Sequence, residues 1–467
     1  MSGKIQKDFT TGSIGLHLIQ FCLPFLLSNF IQACYSVADM LIVGNFCNTN
    51  VLAGVTNGAQ ITNLVINMVA GLTVGGTVLV GQYFGARKEK DVSETIGTTF
   101  SLMFIVGIVL SAVMILGCDQ VLEWLAVPTE ARPAAKEYTN ICLLGTVFTF
   151  GYNAISAVQR GMGESKRPLY FVSIACVLNV GLDLWFVAGL HMEAAGAAWA
   201  TIIAQGVSML LAAVYLKKKN FIFDFKWKSF AIKMDKVRLL LKLGIPSSVQ
   251  SVISSLSFIL MTIIVNGFGV EASAAVGIVG RFNTFAILPA VAMSSSVSSM
   301  AAQNIGAGLH DRAKKSMYYG IGIALGLGAV VFGIAQLFSD QIMMLFMNEY
   351  DEKVLMYGRQ YMRAFSFDYL CVPFAFCFNG LLNGAGCTTF TLFNNVLSSI
   401  AFRMPVAWFL SKTAMQLAGV GAAAPAASVA GALISFIYIA GGRWKRNVTG
   451  IRREPSAQAE KKEAERE

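Results

Sequence analysis

Charged residues are scarce in this chain, and that scarcity excludes an ordinary soluble protein. Only 13% of the 467 residues are Asp, Glu, Lys or Arg, whereas 55% are hydrophobic. A soluble globular protein has about 25% charged residues. We therefore expect most of the surface of this chain to face lipid.

Side chains for covalent, metal or nucleotide chemistry are also few. The three histidines lie near the ends of predicted spans or in loops, and we predict no catalytic role for them. The nine cysteines contain no Cys-x-x-Cys pair, so we predict neither a disulfide framework nor a metal site. No P-loop and no Ser-His-Asp or Cys-His arrangement is recognisable. The sequence therefore gives no support to an enzyme, and we expect neither a cofactor nor a bound nucleotide.

The chain does contain twelve apolar stretches, each long enough to be a membrane-spanning helix, which needs roughly 20 residues. We predict an all-α integral membrane protein in the lipid bilayer. The predicted spans are 15–43, 53–83, 94–117, 137–160, 168–190, 194–216, 238–267, 273–303, 315–338, 355–383, 388–411 and 417–442.

The same pattern of spans occurs twice. Gln82-Tyr-Phe-Gly-Ala86 closes the second span, and Gln303-Asn-Ile-Gly-Ala307 closes the eighth, 221 residues later. Six spans separate the two motifs, and an even number returns the chain to the same side of the membrane. The halves are therefore parallel repeats, an arrangement of transporters that bind between their repeats. We predict four segments: an N-lobe at 1–216, a linker at 217–237, a C-lobe at 238–442 and a disordered tail at 443–467.

Positive charges predict the orientation. With a cytoplasmic N-terminus, 28 of the 36 Lys and Arg residues fall on the inner side and four on the outer side. The other four fall within predicted spans. This bias predicts a cell (inner) membrane protein with both termini in the cytoplasm, and it explains the net charge of +10 without a nucleic-acid partner. The linker mixes lysines with aromatic residues, which predicts an amphipathic connector on the cytoplasmic face.

Small residues are frequent within the spans. Gly71-x-x-x-Gly75 and Gly322-x-x-x-Gly326 allow two helix backbones to approach closely. We expect both pairs to pack helices within a lobe rather than to form an interface between two chains.

Two carboxylates lie within predicted spans of the N-lobe. Asp39 is about four residues, and Asp183 about seven, from the outer ends of their spans, so the two lie at similar height. Tyr35 and Asn179 each precede an aspartate by four residues and share its helix face. Thr201 reaches the same layer, and no Lys or Arg does so in the N-lobe. Two such carboxylates cannot both ionise at low cost, which is typical of a proton or cation site. The alternative is two unrelated aspartates at helix ends.

The C-lobe carries a different polar set. Asp368 is accompanied by Arg281 and Arg403, and Arg363 lies five residues before it. We predict a structural ion pair of Asp368 with Arg403 or Arg281. The alternative is a role in coupling or in substrate binding.

Together these residues resemble the multidrug and toxic compound extrusion (MATE) family. The resemblance rests on the repeated Gln-x-[Phe/Ile]-Gly-Ala motif and on Asp39 within Ser-Val-Ala-Asp-Met-Leu-Ile-Val-Gly. It rests also on Asn179-x-x-x-Asp183 and on Gly196-Ala-Ala with Thr201. It covers residues 10 to 442.

The resemblance implies two six-helix lobes around a central cleft, and antiport of small organic cations against H⁺ or Na⁺. The family's cation site corresponds here to Asp39, Asn179, Asp183 and Thr201, with Tyr35 beside it. Sodium could bind at the first three of these residues, but we expect H⁺. The resemblance also places Gln32 and Asn153 along the substrate cleft; Asp368 and Arg281 are further candidates there.

Two details refine this expectation. One branch of the family uses an acidic residue on the seventh helix, where this chain has Gln250 and a run of serines. That difference favours coupling in the N-lobe. Pro24 lies in the first helix, which in the family can bend on protonation, and a proline makes such a bend possible.

Two other functions remain open at this point. A flippase for a lipid-linked precursor would share the architecture and would use Arg281 and Arg403 to meet phosphates. A membrane scaffold would have no need of two aspartates at matched depth. We expect a transporter that functions as a monomer.

Overall fold

The computed structural model of the chain describes residues 7–219, 221–347, 350–445 and 449–450. In this part of the chain all regular structure is helical. Nine of the described helices are long and apolar enough to cross a membrane. Two pairs of shorter helices, each bent at a break, bring the number of spans to eleven if each pair counts as one span. Residues 1–6 of the predicted N-lobe and 451–467 of the predicted tail lie outside the described residues.

Six spans form the first half, which we call the N-half. Their bounds are α1 Ile14–Phe46, α2 Thr49–Gly85, α3 Glu89–Leu116, α4 Arg132–Leu144 with Thr146–Gly161, α5 Lys166–Gly189 and α6 Glu193–Lys218. The two parts of α4 meet at an angle of 47°. A short helix, Cys118–Trp124, connects α3 to α4.

Six further spans form the second half, the C-half. They are α7 Met234–Asn266, α8 Val270–Gly306, α9 His310–Leu337, α10 Glu352–Phe365 with Asp368–Gly384, α11 Thr388–Val396 continued by Leu397–Arg403 and Met404–Ser411, and α12 Gln416–Ala440. The two parts of α10 meet at 43°, so the fourth span is bent in both halves. The predicted fold class, twelve spans in two parallel six-helix repeats around a central cleft, is confirmed.

The two halves meet through the repeated glutamine motif. The side-chain amide of Gln82 donates a 2.9 Å hydrogen bond to the carbonyl of Gly384 in the C-half. The amide of Gln303 donates a 2.9 Å bond to the carbonyl of Gly161 in the N-half. Both glutamine side chains are fully buried. This reciprocal pair, the glutamine latch, defines what we call the closed end of the cleft.

The glycine of each motif allows the latch to form. A Cβ added to Gly85 would overlap the carbonyl oxygen of Gln303, and one added to Gly306 would overlap that of Gln82. The two helix ends therefore cross backbone to backbone, at a distance only glycine permits.

A buried ion pair also joins the halves at the closed end. Lys236, in the first turn of α7, pairs with Asp91 in the first turn of α3 and donates a 3.1 Å bond to the hydroxyl of Tyr83. Its side chain is only 4% exposed. The N-half thus holds the start of the first helix of the C-half.

The C-half holds the start of α1 in the corresponding way. Arg312, in the first turn of α9, donates to the carbonyls of Phe9, Thr11 and Gly12 at 2.9, 2.7 and 2.8 Å. The amide of Phe9 donates to the side-chain oxygen of Gln303 at 2.9 Å. Each half therefore grips the segment that leads into the first helix of the other, an arrangement we call the reciprocal clasp.

The glycine pairs do not pack as the sequence predicted. Gly71 and Gly75 on α2 contact α7 of the other half, because a Cβ there would overlap the backbone of Ser248 or approach Leu240. Gly322 and Gly326 have no neighbouring atom within 4 Å of such a Cβ. The expectation of packing within a lobe is therefore wrong for both pairs; spacing alone does not identify the helix that faces a glycine.

The linker and the first tail residues pack against the bundle. Phe223 is buried, and the carbonyl of Phe230 accepts a 2.7 Å bond from Ser101 on α3. In the predicted tail, Arg443–Lys445 form a 3₁₀ turn, and the buried Trp444 ring donates to the carbonyl of Ile439 at 3.0 Å. The prediction of disorder from 443 is wrong for this turn, because Trp444 has an apolar surface to bury.

Replacing Gly306 by alanine should disrupt the closed end. The added methyl group overlaps the Gln82 carbonyl, so we expect Gly306→Ala to lower the midpoint of thermal unfolding by several degrees, as a strain of about 1–3 kcal/mol would. The measurement is a fluorescence-monitored melt in detergent. Gly322→Ala is the matched control, since its methyl group has open space and alanine favours the helix by about 0.5–1 kcal/mol. Equal melting of both variants would contradict the tight crossing.

Candidate cation site

Two carboxylates from separate helices meet in the N-half. Asp39 on α1 is 7% exposed and Asp183 on α5 is fully buried. Their carboxyl groups face one another at hydrogen-bonding range. One oxygen of each, Oδ1, has no hydrogen-bond partner in the described part of the chain. We call these two residues the acid pair. It can bind a proton or a small cation, because each would relieve the repulsion between the two carboxylates.

Asn179 and Thr201 complete the polar surroundings of the acid pair. With its amide nitrogen turned toward Asp183, Asn179 donates a 3.0 Å hydrogen bond to Oδ2 of that carboxylate. Its oxygen then accepts a 3.3 Å bond from the backbone amide of Thr201 on α6. The hydroxyl of Thr201 lies beside that of Tyr35. The five residues that the sequence predicts as a cation site therefore lie in one cluster, which joins α1, α5 and α6.

The local helix geometry explains why Asp183 lies where it does. Immediately after it, α5 changes from an α-helix to a π-helical segment over Leu184–Gly189. Such segments interrupt the regular hydrogen-bond ladder and are frequent at functional sites. The C-half has a π-helical segment in the corresponding span, Leu397–Arg403. The sequence pattern did not reveal either segment.

Two residues of the site were missed. Tyr138 and Cys142 lie one turn apart on the first part of α4, are buried, and interact with one another within electrostatic range of Asp39. The spacing of four residues would place them on one face, but neither is charged, so the sequence gave no reason to select them.

The predicted cleft residues of the N-half lie apart from this cluster. Gln32 is exposed on α1, where its carbonyl accepts a 3.1 Å bond from Ser36. Asn153 is partly buried on the second part of α4. Their role along the cleft remains a proposal.

The polar set of the C-half is not the ion pair that the sequence predicted. Asp368 is 6% exposed and lies close to the side chain of Ser428 on α12. In the described part of the chain, no carboxylate lies within 4 Å of the Arg403 guanidinium, which lies 5.4 Å from the centre of the Phe258 ring. Residual attraction between Asp368 and Arg403 acts over a longer distance. Asp368 therefore has a serine hydroxyl as its neighbour, and Arg403 has an aromatic ring, instead of the ion-pair partners that the sequence predicted.

The other two arginines of that set also lie elsewhere. Arg281 is exposed on α8 and forms no ion pair with Asp368, and Arg363 is exposed on the first part of α10. The carbonyl of Arg363 accepts a 2.9 Å bond from Gln336. The bend of α10 lies between Arg363 and Asp368, so their separation of five residues does not place them on one face.

The described residues contain no group of three or more His, Cys, Asp and Glu side chains arranged to hold a metal ion. The acid pair supplies two carboxylates only.

Parallel repeats, a cleft between them and a buried acid pair define a membrane transporter of the parallel-repeat class. The family model MatE matches residues 24–185 and 246–409, one range in each half. The chain belongs to the multidrug and toxic compound extrusion (MATE) family.

Relatives and solved structures extend along nearly the whole chain. It is 30% identical over 426 residues to the probable multidrug resistance protein YoeA of Bacillus subtilis (strain 168), which covers 90% of the chain and 92% of YoeA. It is 29% identical over 442 residues to the probable multidrug resistance protein YpnP of the same organism, covering 94% and 97%. The structure of an outward-facing multidrug resistance MATE family transporter matches with a TM-score of 0.88 at 21% identity, covering 95% of this chain and 100% of that one.

Replacing Arg403 should cost far less stability than replacing Lys236. Arg403→Met removes a contact with an aromatic ring, worth about 0.5–1 kcal/mol. Lys236→Met leaves Asp91, itself 27% exposed, without its partner, which costs at most the roughly 3–5 kcal/mol of a fully buried pair. Denaturant unfolding of the two purified variants measures the difference. A loss for Arg403→Met as large as that for Lys236→Met would show that Arg403 does support Asp368 as an ion pair.

Proposed function

We propose that the chain is an antiporter that exports organic cations and amphipathic drugs in exchange for H⁺ entering at the acid pair. The observation that carries this proposal is the burial of Asp39 against Asp183 without a Lys or Arg in ion-pair contact. A carboxylate in the membrane interior costs roughly 3 kcal/mol or more, so such residues are usually functional. Two of them facing one another provide a place where a proton and a cationic substrate compete.

The arrangement of Asn179 favours H⁺ over Na⁺. Sodium would need several oxygen ligands, and carboxylates and amide oxygens are the usual suppliers for hard cations. The amide of Asn179 is occupied on both sides, by the carboxylate of Asp183 and by the backbone amide of Thr201. The amide oxygen therefore already accepts one hydrogen bond, and a sodium ion would have to share it through the second lone pair. A proton needs only the two carboxylates.

The orientation of the charges gives the direction of the cycle. The excess of Lys and Arg on the side of the glutamine latch supports a closed end that lies in the cytoplasm together with both termini. The cleft of this structure then faces the outside, where protons can reach the acid pair. Protonation neutralises the pair and releases a bound cation. The halves then rock, the closed end opens, the proton leaves, and a new cation enters from the cytoplasm.

The substrate class follows from the charge of the site and from the relatives. YoeA and YpnP are both named as probable multidrug resistance proteins. A pair of carboxylates attracts organic cations rather than anions. A lipid-precursor flippase would need free basic groups in the cleft, but the guanidinium of Arg403 lies over the ring of Phe258. Since one chain holds both repeats, we propose that it functions as a monomer.

The driving force depends on how many protons the acid pair carries. Exchange of one H⁺ for one monovalent cation moves no net charge, and each pH unit then supports about tenfold accumulation, or roughly 1.4 kcal/mol. If both carboxylates carry a proton, the exchange is electrogenic, and each 100 mV of membrane potential adds roughly 2.3 kcal/mol.

Replacing Asp39 by asparagine should abolish proton-coupled export. The substitution keeps the size of the side chain but removes one of the two charges for which proton and substrate compete. The measurement is ethidium efflux from reconstituted liposomes under an imposed pH gradient and, separately, an imposed Na⁺ gradient. We expect the native protein to respond to the pH gradient, and Asp39→Asn to lose at least about tenfold in rate, the effect of a lost 1.4 kcal/mol.

Asp311→Asn is the control, because this carboxylate is exposed at the start of α9 and lies in the other half. Efflux driven by the Na⁺ gradient alone would support the same site but would show that the coupling ion is Na⁺ rather than H⁺. Equal efflux by the native protein and Asp39→Asn would refute the role of the acid pair and direct attention to Asp368.

The glutamine latch should set how readily the cytoplasmic end opens. Gln82→Ala with Gln303→Ala removes both latch bonds and the bond that Gln303 accepts from the amide of Phe9. These are three buried bonds between the halves, each worth about 0.5–1.5 kcal/mol. We expect a larger population of conformers that are open at this end. Spin labels at Lys90→Cys and Lys315→Cys, in a cysteine-free background, report the distance between the starts of α3 and α9 by pulsed electron resonance. An unchanged distance distribution would show that the latch does not hold the end closed.

A further inference from the structure

The linker between the halves is fastened along the side of α3. The ring of Phe100 on α3 contacts three linker rings, those of Phe223, Phe225 and Phe230, at centroid distances of 5.7, 6.4 and 6.3 Å. The backbone amide of Lys233 donates a 3.2 Å hydrogen bond to the hydroxyl of Thr98. A Cβ added to Gly97 would overlap the carbonyl oxygen of Ser229, so the two backbones are in direct contact. The linker is therefore held at a fixed height on a membrane-spanning helix.

This height is the edge of the apolar part of α3. Glu94 is the last charged residue of the helix, and the linker contacts residues 97–101, about 5–10 Å further along its axis. One turn beyond them, α3 begins to expose apolar side chains, first those of Phe104 and Ile105. Such side chains on a membrane-spanning helix face the hydrocarbon of the bilayer. The linker therefore lies where the hydrocarbon meets the lipid headgroups, at the closed end of the cleft.

At this height the linker leaves a tryptophan uncovered between two lysines. Trp227 begins a 3₁₀ turn and is 95% exposed, and Lys226 and Lys228 on either side of it are exposed as well. The preceding Phe225 has a φ of 54°, in the left-handed region that few residues other than glycine adopt. Its ring stacks on that of Phe100, which holds the chain in this conformation. The exposed position of Trp227 is therefore set by the packing of its neighbours on α3.

The linker is also strongly positive. Residues 217–233 contain six lysines and one aspartate, which gives this segment a net charge of +5. The aspartate, Asp224, lies 3.3 Å from the ammonium group of Lys226. Lys228 and Lys233 have no carboxylate within 4 Å among the described residues. A basic side chain near the membrane surface favours an anionic headgroup by roughly fivefold. The charge of this surface is therefore complementary to that of anionic lipids.

We propose that Lys226, Trp227 and Lys228 form a docking surface for anionic phospholipids in the leaflet at the closed end. The indole lies between the headgroups and the upper acyl chains, a position that tryptophan favours in membrane proteins. The two ammonium groups bind lipid phosphates. The occupant is a lipid rather than a soluble protein, because the surface adjoins the lipid-facing side chain of Phe104. This docking surface requires only that the chain spans a bilayer, and it is independent of the proposed export.

The test measures quenching of Trp227 fluorescence by brominated lipids, with the full chain in nanodiscs made mostly of phosphatidylcholine. Bromine near the top of an acyl chain quenches only an indole that lies close to that lipid. The chain has six tryptophans, so each signal is the difference from the same protein with Trp227→Phe. We expect brominated phosphatidylglycerol to reach half of its maximal quenching at a mole fraction about fivefold lower than brominated phosphatidylcholine does.

Lys226→Gln with Lys228→Gln should remove the difference between the two lipids, while both still quench Trp227, because the charges are lost and the indole stays in place. Lys314→Gln with Lys315→Gln is the matched control, since it removes two neighbouring lysines near the start of α9 in the other half and should leave the preference unchanged.

Equal quenching by both lipids in the native protein would overturn the recognition of anionic headgroups. A preference that persists in Lys226→Gln with Lys228→Gln would overturn the assignment to these two lysines. Quenching by water-soluble acrylamide, with none by either lipid, would place Trp227 in water and overturn the docking surface as a whole.

Discussion

The crossing of α2 with α8 is the constraint on which the rest of this structure depends. At that crossing the glutamine of each repeat reaches a glycine carbonyl of the other repeat, and the motif glycines bring the two backbones into contact. Two hydrophobic cores continue the contact, because each contains residues of both halves, such as Phe21 with Met293 and Val78 with Leu243. Because the crossing lies at one end, it closes the cleft there. A transporter that alternates its access must undo and remake this contact in each cycle.

The two halves share a plan but differ in chemistry. Each has a proline in its first span, a bent fourth span and a π-helical segment in its fifth. In the N-half, this framework carries two carboxylates and an amide that bridges α5 and α6. In the C-half, it carries a carboxylate close to a serine and an arginine over an aromatic ring. The two halves thus share their helix geometry but differ in the charge that the geometry holds.

Sequence patterns predicted the features that rest on local chemistry. Hydropathy predicts the spans because every backbone polar group in lipid must be satisfied within a helix, and spacing of four residues predicts that Asn179 lies on the same face as Asp183. Sequence patterns gave wrong predictions where a contact depends on which helix packs against the residue. Gly71 and Gly75 pack between the halves, Arg363 is separated from Asp368 by the bend of α10, and Trp444 is buried in a segment predicted to be disordered. Tyr138 and Cys142 lie near Asp39 on the bent span α4, and residue spacing does not predict that bend.

The reciprocal clasp has a consequence for how the protein is made. The residues that anchor the start of α1 belong to α8 and α9, and the residues that receive the start of α7 belong to α2 and α3. During synthesis, the first six helices are made before Gln303 and Arg312. Until the C-half is made, the segment from Phe9 to Gly12 lacks its bonds to Gln303 and Arg312, and the amide of Gln82 lacks the carbonyl of Gly384. The N-half is thus an incomplete intermediate in the bilayer until the C-half has been made. Because each half holds the segment before the first helix of the other, the structure is complete only after both halves have been inserted.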